Sequence, residues 1–407
     1  MVVLTTLLSM WVLPSLVKKM TDGAKNYPFV YYSSMLKELC VINFANNHES
    51  FSDIKGNVYP RSQYDSILPL LNFRQLMMNG TLPDTLEGQA IEPKTIRMKQ
   101  LVYRFSPSKL NAPQPQMGVL LEAMPKRLNL SLPGDYFRMD DKITFIDAFT
   151  NEVNAEKSER FTKELKCKGF SFPVQHYWGN PTTRKPYEEG YFCLDSKGQL
   201  FHLKMVNGRP FVKDTGLGND LDIRWFTMHE VSDKRFYGYL FGNNGELGIV
   251  ESTPEGGYYF RRMDIPSIDI KKDDISIMGN MLYWTVRVTH EDSADFYGVK
   301  ASTLEQVSSY HLERTLSLWD QLSEWLFVSS VSPTSDNNAY VSLYFTPISW
   351  KAFLLNAIIA FIFLVGNKKI ISLRRKGCLT AYLLLTGFIG LLAWLMLAPS
   401  EEAGADK

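Results

Sequence analysis

Chemistry is sought first in the side chains able to perform it. Six histidines, His48, His176, His202, His229, His290 and His311, are scattered along the chain. No two of them have the i, i+4 spacing of a helical zinc site and no HExxH occurs, so they read as ordinary surface or core histidines. The stretch HEDSAD, His290 to Asp295, gathers three carboxylates that would suit a hard cation such as calcium. It lacks the glycine and spacing of an EF-hand, and a solvated hairpin tip is the simpler reading; GNDLD, Gly218 to Asp222, is read the same way. GLG at Gly216 to Gly218 is not followed by the rest of a dinucleotide fingerprint, and neither a GxxxxGKS/T loop nor a GxSxG elbow is present. A carboxylate pair for glycoside hydrolysis stays open, because its separation is set by the fold. The sequence therefore assigns no catalytic residue, no cofactor and no metal.

Cys40, Cys167, Cys193 and Cys378 form no CxxC or zinc-type cluster. An oxidising compartment would permit a bridge between Cys167 and Cys193; the alternative is three buried thiols and one in lipid. Net charge is +1 over 407 residues, which gives no pull toward nucleic acid.

The basic excess is instead local. Lys368, Lys369, Arg374, Arg375 and Lys376 lie between two strongly apolar runs, Trp350 to Val365 and Cys378 to Ala398. A helix rising about 1.5 Å per residue needs about 20 apolar residues to cross a hydrocarbon core of roughly 30 Å. The second run meets that length and the first is slightly short, with Trp350 and Trp394 suited to the headgroup boundary. We expect a transmembrane hairpin whose basic loop faces the cytoplasm. Residues 2–17, VVLTTLLSMWVLPSLV, supply a third span; the alternatives are a cleaved signal peptide, for which VKKMTD offers neither a basic leader nor a small-residue cleavage site, and a buried core helix. The absence of a basic residue before this span implies a natural start further upstream. Lys18 and Lys19 pull the opposite way in topology, but five cations outweigh two, each costing about 2.3 kcal/mol per 100 mV when displaced. The lipid bilayer is thus an expected partner. Within the spans, Asn356 is the strongest polar group and reads equally as an interfacial position near the start of its helix or as a helix contact; Gly387 and Gly390 permit close approach, so a helix contact at these three is one expectation.

The expected organisation is an N-terminal anchor at 1–19, a mixed α/β segment at 20–100, a β-rich repeat domain at 101–347, spans at 350–367 and 377–398 around a basic loop at 368–376, and a polar tail at 399–407. In the mixed segment, YPFVYYSSMLKELCVINF favours extended structure. RSQYDSILPLLNFRQLMMNG reads as one helix capped by Ser62 and stopped at Asn79-Gly80, with Pro69 forcing a kink or a later start. Further on, YFCLDSKGQLFHLKMV, FYGYLFGNNGELGIVES and LYWTVRVTHEDSADFYGVKAS each read as a hairpin. Similar units begin at Phe145, Cys193 and Leu240, 48 and 47 residues apart. That period marks a β-propeller blade, and about five would fit; a β-sandwich or irregular β domain is the alternative.

The stretch from Phe51 to Gly88 contains Gly56, Tyr59, Tyr64, Leu68-Pro69-Leu70-Leu71, Arg74-Gln75-Leu76 and Gly80 through Pro83. In these residues, and in the plan of front anchor, β-rich middle and terminal hairpin, the chain resembles a family of uncharacterised Bacteroides-type membrane proteins classed as a domain of unknown function. The resemblance implies association with ABC-type export systems and so ABC-type transporter subunits as partners; it carries over no catalytic residue. The expected function is a membrane-anchored accessory or binding subunit of an envelope complex, integral to a bacterial inner membrane with the large domain in the periplasm. A membrane-tethered hydrolase and a ligand sensor are the alternatives.

Overall fold

The computed structural model describes residues 1–21, 27–45, 48–113, 117–314, 317–335, 338–366 and 373–397. In chain order α1 (Val2–Thr21) comes first, followed by a three-stranded sheet of β1 (Phe29–Ser33), β2 (Glu38–Ala45) and β3 (His48–Asp53). Then come α2 (Arg61–Ile67), α3 (Phe73–Met78), the short ladder of β4 (Thr85–Leu86) and β5 (Gln89–Ala90), α4 (Pro93–Lys99) and β6 (Leu101–Phe105). Next, β7 (Asp135–Met139), β8 (Ile143–Asp147) and β9 (Val153–Asn154) form a sheet, and α5 (Ala155–Cys167) follows it. Two four-stranded antiparallel sheets come after: β10 (His176–Gly179), β11 (Tyr191–Leu194), β12 (Leu200–Val206) and β13 (Arg209–Asp214), then β14 (Ile223–Met228), β15 (Phe236–Gly242), β16 (Leu247–Ser252) and β17 (Tyr258–Arg262). The last large sheet takes β18 (Asp274–Gly279), β19 (Tyr283–Thr289), β20 (Ser293–Lys300) and β21 (Gln306–Glu313), with β6 antiparallel beside β18. The chain continues through α6 (Leu318–Leu326), the pair β22 (Ser329–Ser332) and β23 (Tyr344–Pro347), α7 (Lys351–Gly366) and α8 (Leu373–Leu397). Two compact units result, one from residues 28–312 and one from residues 1–27 with 313–407.

In the unit of residues 28–312 the sheets stack in series. Phe137, Phe145, Phe161 and Leu165, from β7, β8 and α5, pack with Tyr191, Cys193 and Leu203. Successive strand residues point to opposite faces, so Phe192, Leu194 and Leu200 turn the other way and meet Phe226, Leu240 and Val250. The opposite face of that next sheet sends Tyr239, Phe241, Leu247 and Ile249 against Phe105, Ile277 and Trp284. Burial on both faces explains why these strands read as continuous apolar runs rather than as alternating ones.

Turn chemistry sets the hairpins. Asp195 Oδ1 accepts from the Lys197 and Gln199 amides at 2.8 and 2.9 Å, closing the β11–β12 turn. Gly245 does the same work between β15 and β16 at φ +85°, where a Cβ would strike the Ile268 backbone. All three hairpins read from the sequence are present.

Other expectations need correction. Four sheets, not five repeats, follow Leu101 within this unit, and no closed barrel or propeller is found among the described residues. The helix expected from Arg61 to Gly80 is two helices, because Pro69 cannot donate the backbone bond that would carry α2 into α3. Pro60, not Ser62, holds the N-cap of α2. Among the expected spans, α1 and the stretch 376–397 of α8 are long and apolar enough to cross a membrane. The third, α7, has 16 residues, about 24 Å of helix against roughly 30 Å of hydrocarbon; three spans are therefore not supported.

Candidate functional site: a basic, methionine-lined cleft

The residues of the Phe51–Gly88 stretch build one wall of a surface feature. Asp53 is buried and anchors the start: its carboxylate accepts from the Lys55 and Asn57 amides at 2.9 Å, from Asn57 Nδ2 at 2.7 Å and from Tyr59 Oη at 2.8 Å. Those hydrogen bonds outweigh the burial that would raise its pKa, and hold it below the ordinary carboxylate value. Tyr64, Leu68, Leu70, Phe73 and Leu76 are buried beneath α2 and α3. Gln100 ties the end of α4 to this layer by donating to the Leu70 carbonyl at 3.2 Å.

Above the buried layer, α3, α4 and the loop between β14 and β15 enclose an open cleft of 710 Å³. Arg74, Lys94 and Arg97 line it with Met77, Met98 and Val231. None of the three cations has a carboxylate partner among the described residues, and no carboxylate or histidine lines the cleft. The nearest ion pair along the chain, Lys99 with Asp233 at 3.8 Å, belongs to the adjoining elements. Met77 and Met98 are 48 and 41% exposed, so apolar, adaptable surface is left open beside uncompensated positive charge. A second, 180 Å³ cavity lies on the other side of Gln100 and is lined by Tyr31, Tyr32, Leu68–Leu71 and Met278.

Three titratable clusters elsewhere are paired within themselves. Lys185 is buried between Glu188 Oε2 at 2.8 Å and Glu230 Oε2 at 2.7 Å. Burial pushes Glu188 up to about 7 despite that ammonium, and Glu230 adds to the push. His202 bonds Tyr258 Oη at 2.6 Å and the Glu189 carbonyl at 2.5 Å, and burial drives it down to about 3. At the HEDSAD turn, His290 Nδ1 meets Asp273 at 2.8 Å and its Nε2 meets Asp295 at 3.1 Å, while His311 meets Asp295 at 2.6 Å. With both ring nitrogens engaged, His290 has none left for a substrate proton. No group of three or more His, Cys, Asp or Glu side chains arranged to hold a metal occurs among the described residues.

The structure also locates the residues singled out in the sequence. Asn356 is buried and donates from Nδ2 to the Leu384 carbonyl of α8 at 2.9 Å, with Gly387 directly against its side chain. Gly390 sits elsewhere, its carbonyl accepting from Tyr382 Oη at 3.2 Å. Tyr382 in turn meets Thr6 of α1 at 2.6 Å, a contact between two helices that no pattern in either segment announces. Lys368 and Lys369 lie outside the described residues; Arg374, Arg375 and Lys376 fall in the first turn of α8. Cys40 and Cys193 are buried free thiols, whereas Cys167 is exposed at the end of α5. The expected burial of Cys167 is thereby corrected: the inward positions of α5 are Ser158, Phe161 and Leu165, and Cys167 is off that face.

A family profile for a domain of unknown function (DUF4857) matches residues 29–299. The chain belongs to that family. The DUF4857 match covers the cleft and all the stacked sheets up to β20. A search of curated proteins finds no match. Among solved structures, a comparison returns dihydro-heme d1 dehydrogenase NirN in complex with DHE, at TM-score 0.21 and 8% identity over 56% of each chain. The chain thus spans about half the length of that structure, and a score this low establishes no shared fold.

Proposed function

We propose that this DUF4857 protein is a membrane-anchored binding subunit of a cell-envelope complex, with the cleft between α3 and α4 as its ligand site. One observation carries the reading: Arg74, Lys94 and Arg97 share an open cleft with Met77 and Met98, unpaired by any carboxylate among the described residues. Such a cleft attracts a ligand that is anionic at one end and apolar at the other. A hydrolase would instead converge carboxylates or a histidine on the cavity, and the lining has neither. The apolar α1 and α8 support anchoring in a membrane. The cations from Lys368 to Lys376 favour a cytoplasmic loop, and with it a third span through α7, leaving the β-rich unit in the periplasm of a bacterial inner membrane. The resemblance to Bacteroides-type membrane proteins supports ABC-type transporter subunits as partners.

The test is native mass spectrometry of the full chain purified in gentle detergent, wild type beside an Arg74→Gln, Lys94→Gln, Arg97→Gln triple variant. The expected result is an anionic amphiphile retained by the wild type and lost from the variant, with any transporter subunit still present. Equal retention by both, or a turned-over substrate in place of a retained ligand, overturns the reading.

A further inference from the structure

The unit of residues 1–27 and 313–407 carries a short helix whose apolar arc is only half covered by protein. α6 opens with a capping box, Ser317 accepting from the Asp320 amide while the Asp320 carboxylate accepts from the Ser317 amide. At about 100° per residue, its side chains fall into three sectors. Asp320, Gln321 and Glu324 form a polar sector in which Asp320 is paired with Arg314 at 2.8 Å and Glu324 with Lys351. Trp319, Ser323 and Leu326 turn inward, Trp319 and Leu326 packing against the cluster of Met10, Phe327 and Ile389. Leu318, Leu322 and Trp325, at i, i+4 and i+7, stand on the remaining sector and are 62, 42 and 51% exposed.

What covers that sector follows from what α6 rests on. α6 packs on α1 and α7, and the cluster at its inward face includes Met10, Leu13 and Val17, which run from the middle of α1 toward its end, with Phe388 and Ile389 of α8. The Lys351 ion pair fixes α6 at the first residue of α7. A helix packed along apolar helices and tied to the first residue of a third, with Trp on its open face and its charges paired on another, has the make-up of a segment lying in the plane of a membrane interface. Val341, Phe345 and Trp350, in and around β23 before α7, extend the exposed apolar surface with aromatics suited to headgroup depth. We infer that α6 lies along the bilayer interface, with Leu318, Leu322 and Trp325 immersed at the headgroup–acyl boundary. This rests on the membrane-anchored reading and adds a second mode of attachment, one that fixes the depth and rotation of the helices beside it.

The experiment uses the full chain in phospholipid nanodiscs with Cys167→Ser and Cys378→Ser, carrying one nitroxide at a time at Leu322→Cys, Leu318→Cys, Gln321→Cys or Leu385→Cys. All four positions are exposed, so a label at any of them disturbs no packed neighbour. Collision rates with oxygen, which concentrates in lipid, and with a water-soluble nickel chelate are then compared. The expected result is oxygen-dominated relaxation at 318 and 322, chelate-dominated relaxation at 321, and oxygen-dominated relaxation at 385. Chelate access at 318 and 322 with oxygen access at 385 overturns the inference while leaving the anchor intact. Chelate access at 385 as well overturns the anchor itself. Low access to both reagents at 322 overturns the lipid assignment in favour of a covering protein.

Discussion

His290 illustrates how a residue that looks functional in sequence can be explained by its neighbours. Burial lowers its pKa, but hydrogen bonds and charge from Asp273, then Asp295, outweigh that effect and raise it above the ordinary histidine value. The facing titratable groups are Asp273, Asp295, His311 and, through Asp295, Tyr297. Because the folded pKa exceeds the unfolded one, His290 contributes stability that is complete below about 6.5 and is lost as pH rises through the folded value. His290→Gln should therefore cost about 1 kcal/mol at pH 6, a figure already discounted for partial exposure, and progressively less toward pH 9. Thermal melts of both proteins across that range check this; a gap that widens with pH would contradict it. Lys185 gives a larger effect. Removing its ammonium with Lys185→Met strands Glu188 and Glu230 in a buried site, for an expected loss of roughly 3–5 kcal/mol. Denaturant unfolding would read it, and Glu188→Gln in the Lys185→Met background should recover part of the loss. Neither network was legible in the sequence, because Asp273 and His290, or Lys185 and Glu230, become neighbours only when separate strands and loops meet. The cleft was half legible. Arg74 stood within the family-like stretch, but nothing in the sequence singles out Lys94 and Arg97, which join it only because α4 faces α3.

Among the elements, local signals carried the hairpins and failed where burial was sparse. SKG and NNG specify turns by their own chemistry, so β11–β12 and β15–β16 could be read without knowing their surroundings. α5 could not be read so directly: AEKSERFTKELKC is mostly charged, and only Ser158, Phe161 and Leu165 mark its inner face. Its available signal was the Asn154 cap, whose side chain accepts from the Lys157 amide at 3.0 Å. The period of 47 to 48 residues was real as a succession of hairpins, yet periodicity in sequence does not dictate closure, since closure depends on the angle between successive sheets. In α8 the break at Gly387, φ +57° and ψ −137°, also lacks any proline to announce it. Two constraints coincide there: a backbone that L residues rarely adopt, and the side chain of Asn356 pressed against the missing Cβ. Gly387→Ala should destabilise the α7–α8 pair by roughly 1–3 kcal/mol. Trimming the obstruction with Asn356→Ala should not restore it, because the backbone strain remains. Thermal unfolding in detergent of both variants separates the causes; full rescue by the double variant would show that sterics alone set the requirement.

On the scale of the whole molecule, the number of crossings decides what lies on each side of the membrane. With 16 residues, α7 is too short to cross as a straight, fully embedded helix, while Lys351 at its start and the cations after Gly366 can extend its reach by snorkelling. If α7 crosses, the basic loop returns to the cytoplasm, opposite the unit of residues 28–312. If it does not, loop and unit share a side, and five cations stand on the face that the charge rule disfavours. Cys167 makes the alternatives measurable, because it is an exposed thiol on the unit of residues 28–312. In Cys378→Ser protein, a membrane-impermeant maleimide applied to cells with a permeabilised outer membrane should label Cys167. A second cysteine replacing Ser372 in the loop should stay unlabelled until the inner membrane is opened. Changing Lys368, Lys369, Arg374, Arg375 and Lys376 to Gln together should then expose the loop cysteine in a fraction of molecules. Labelling of both sites from the start would mean that α7 turns back without crossing, and the cations would then have to be explained by anionic headgroups on the same face as the β-rich unit.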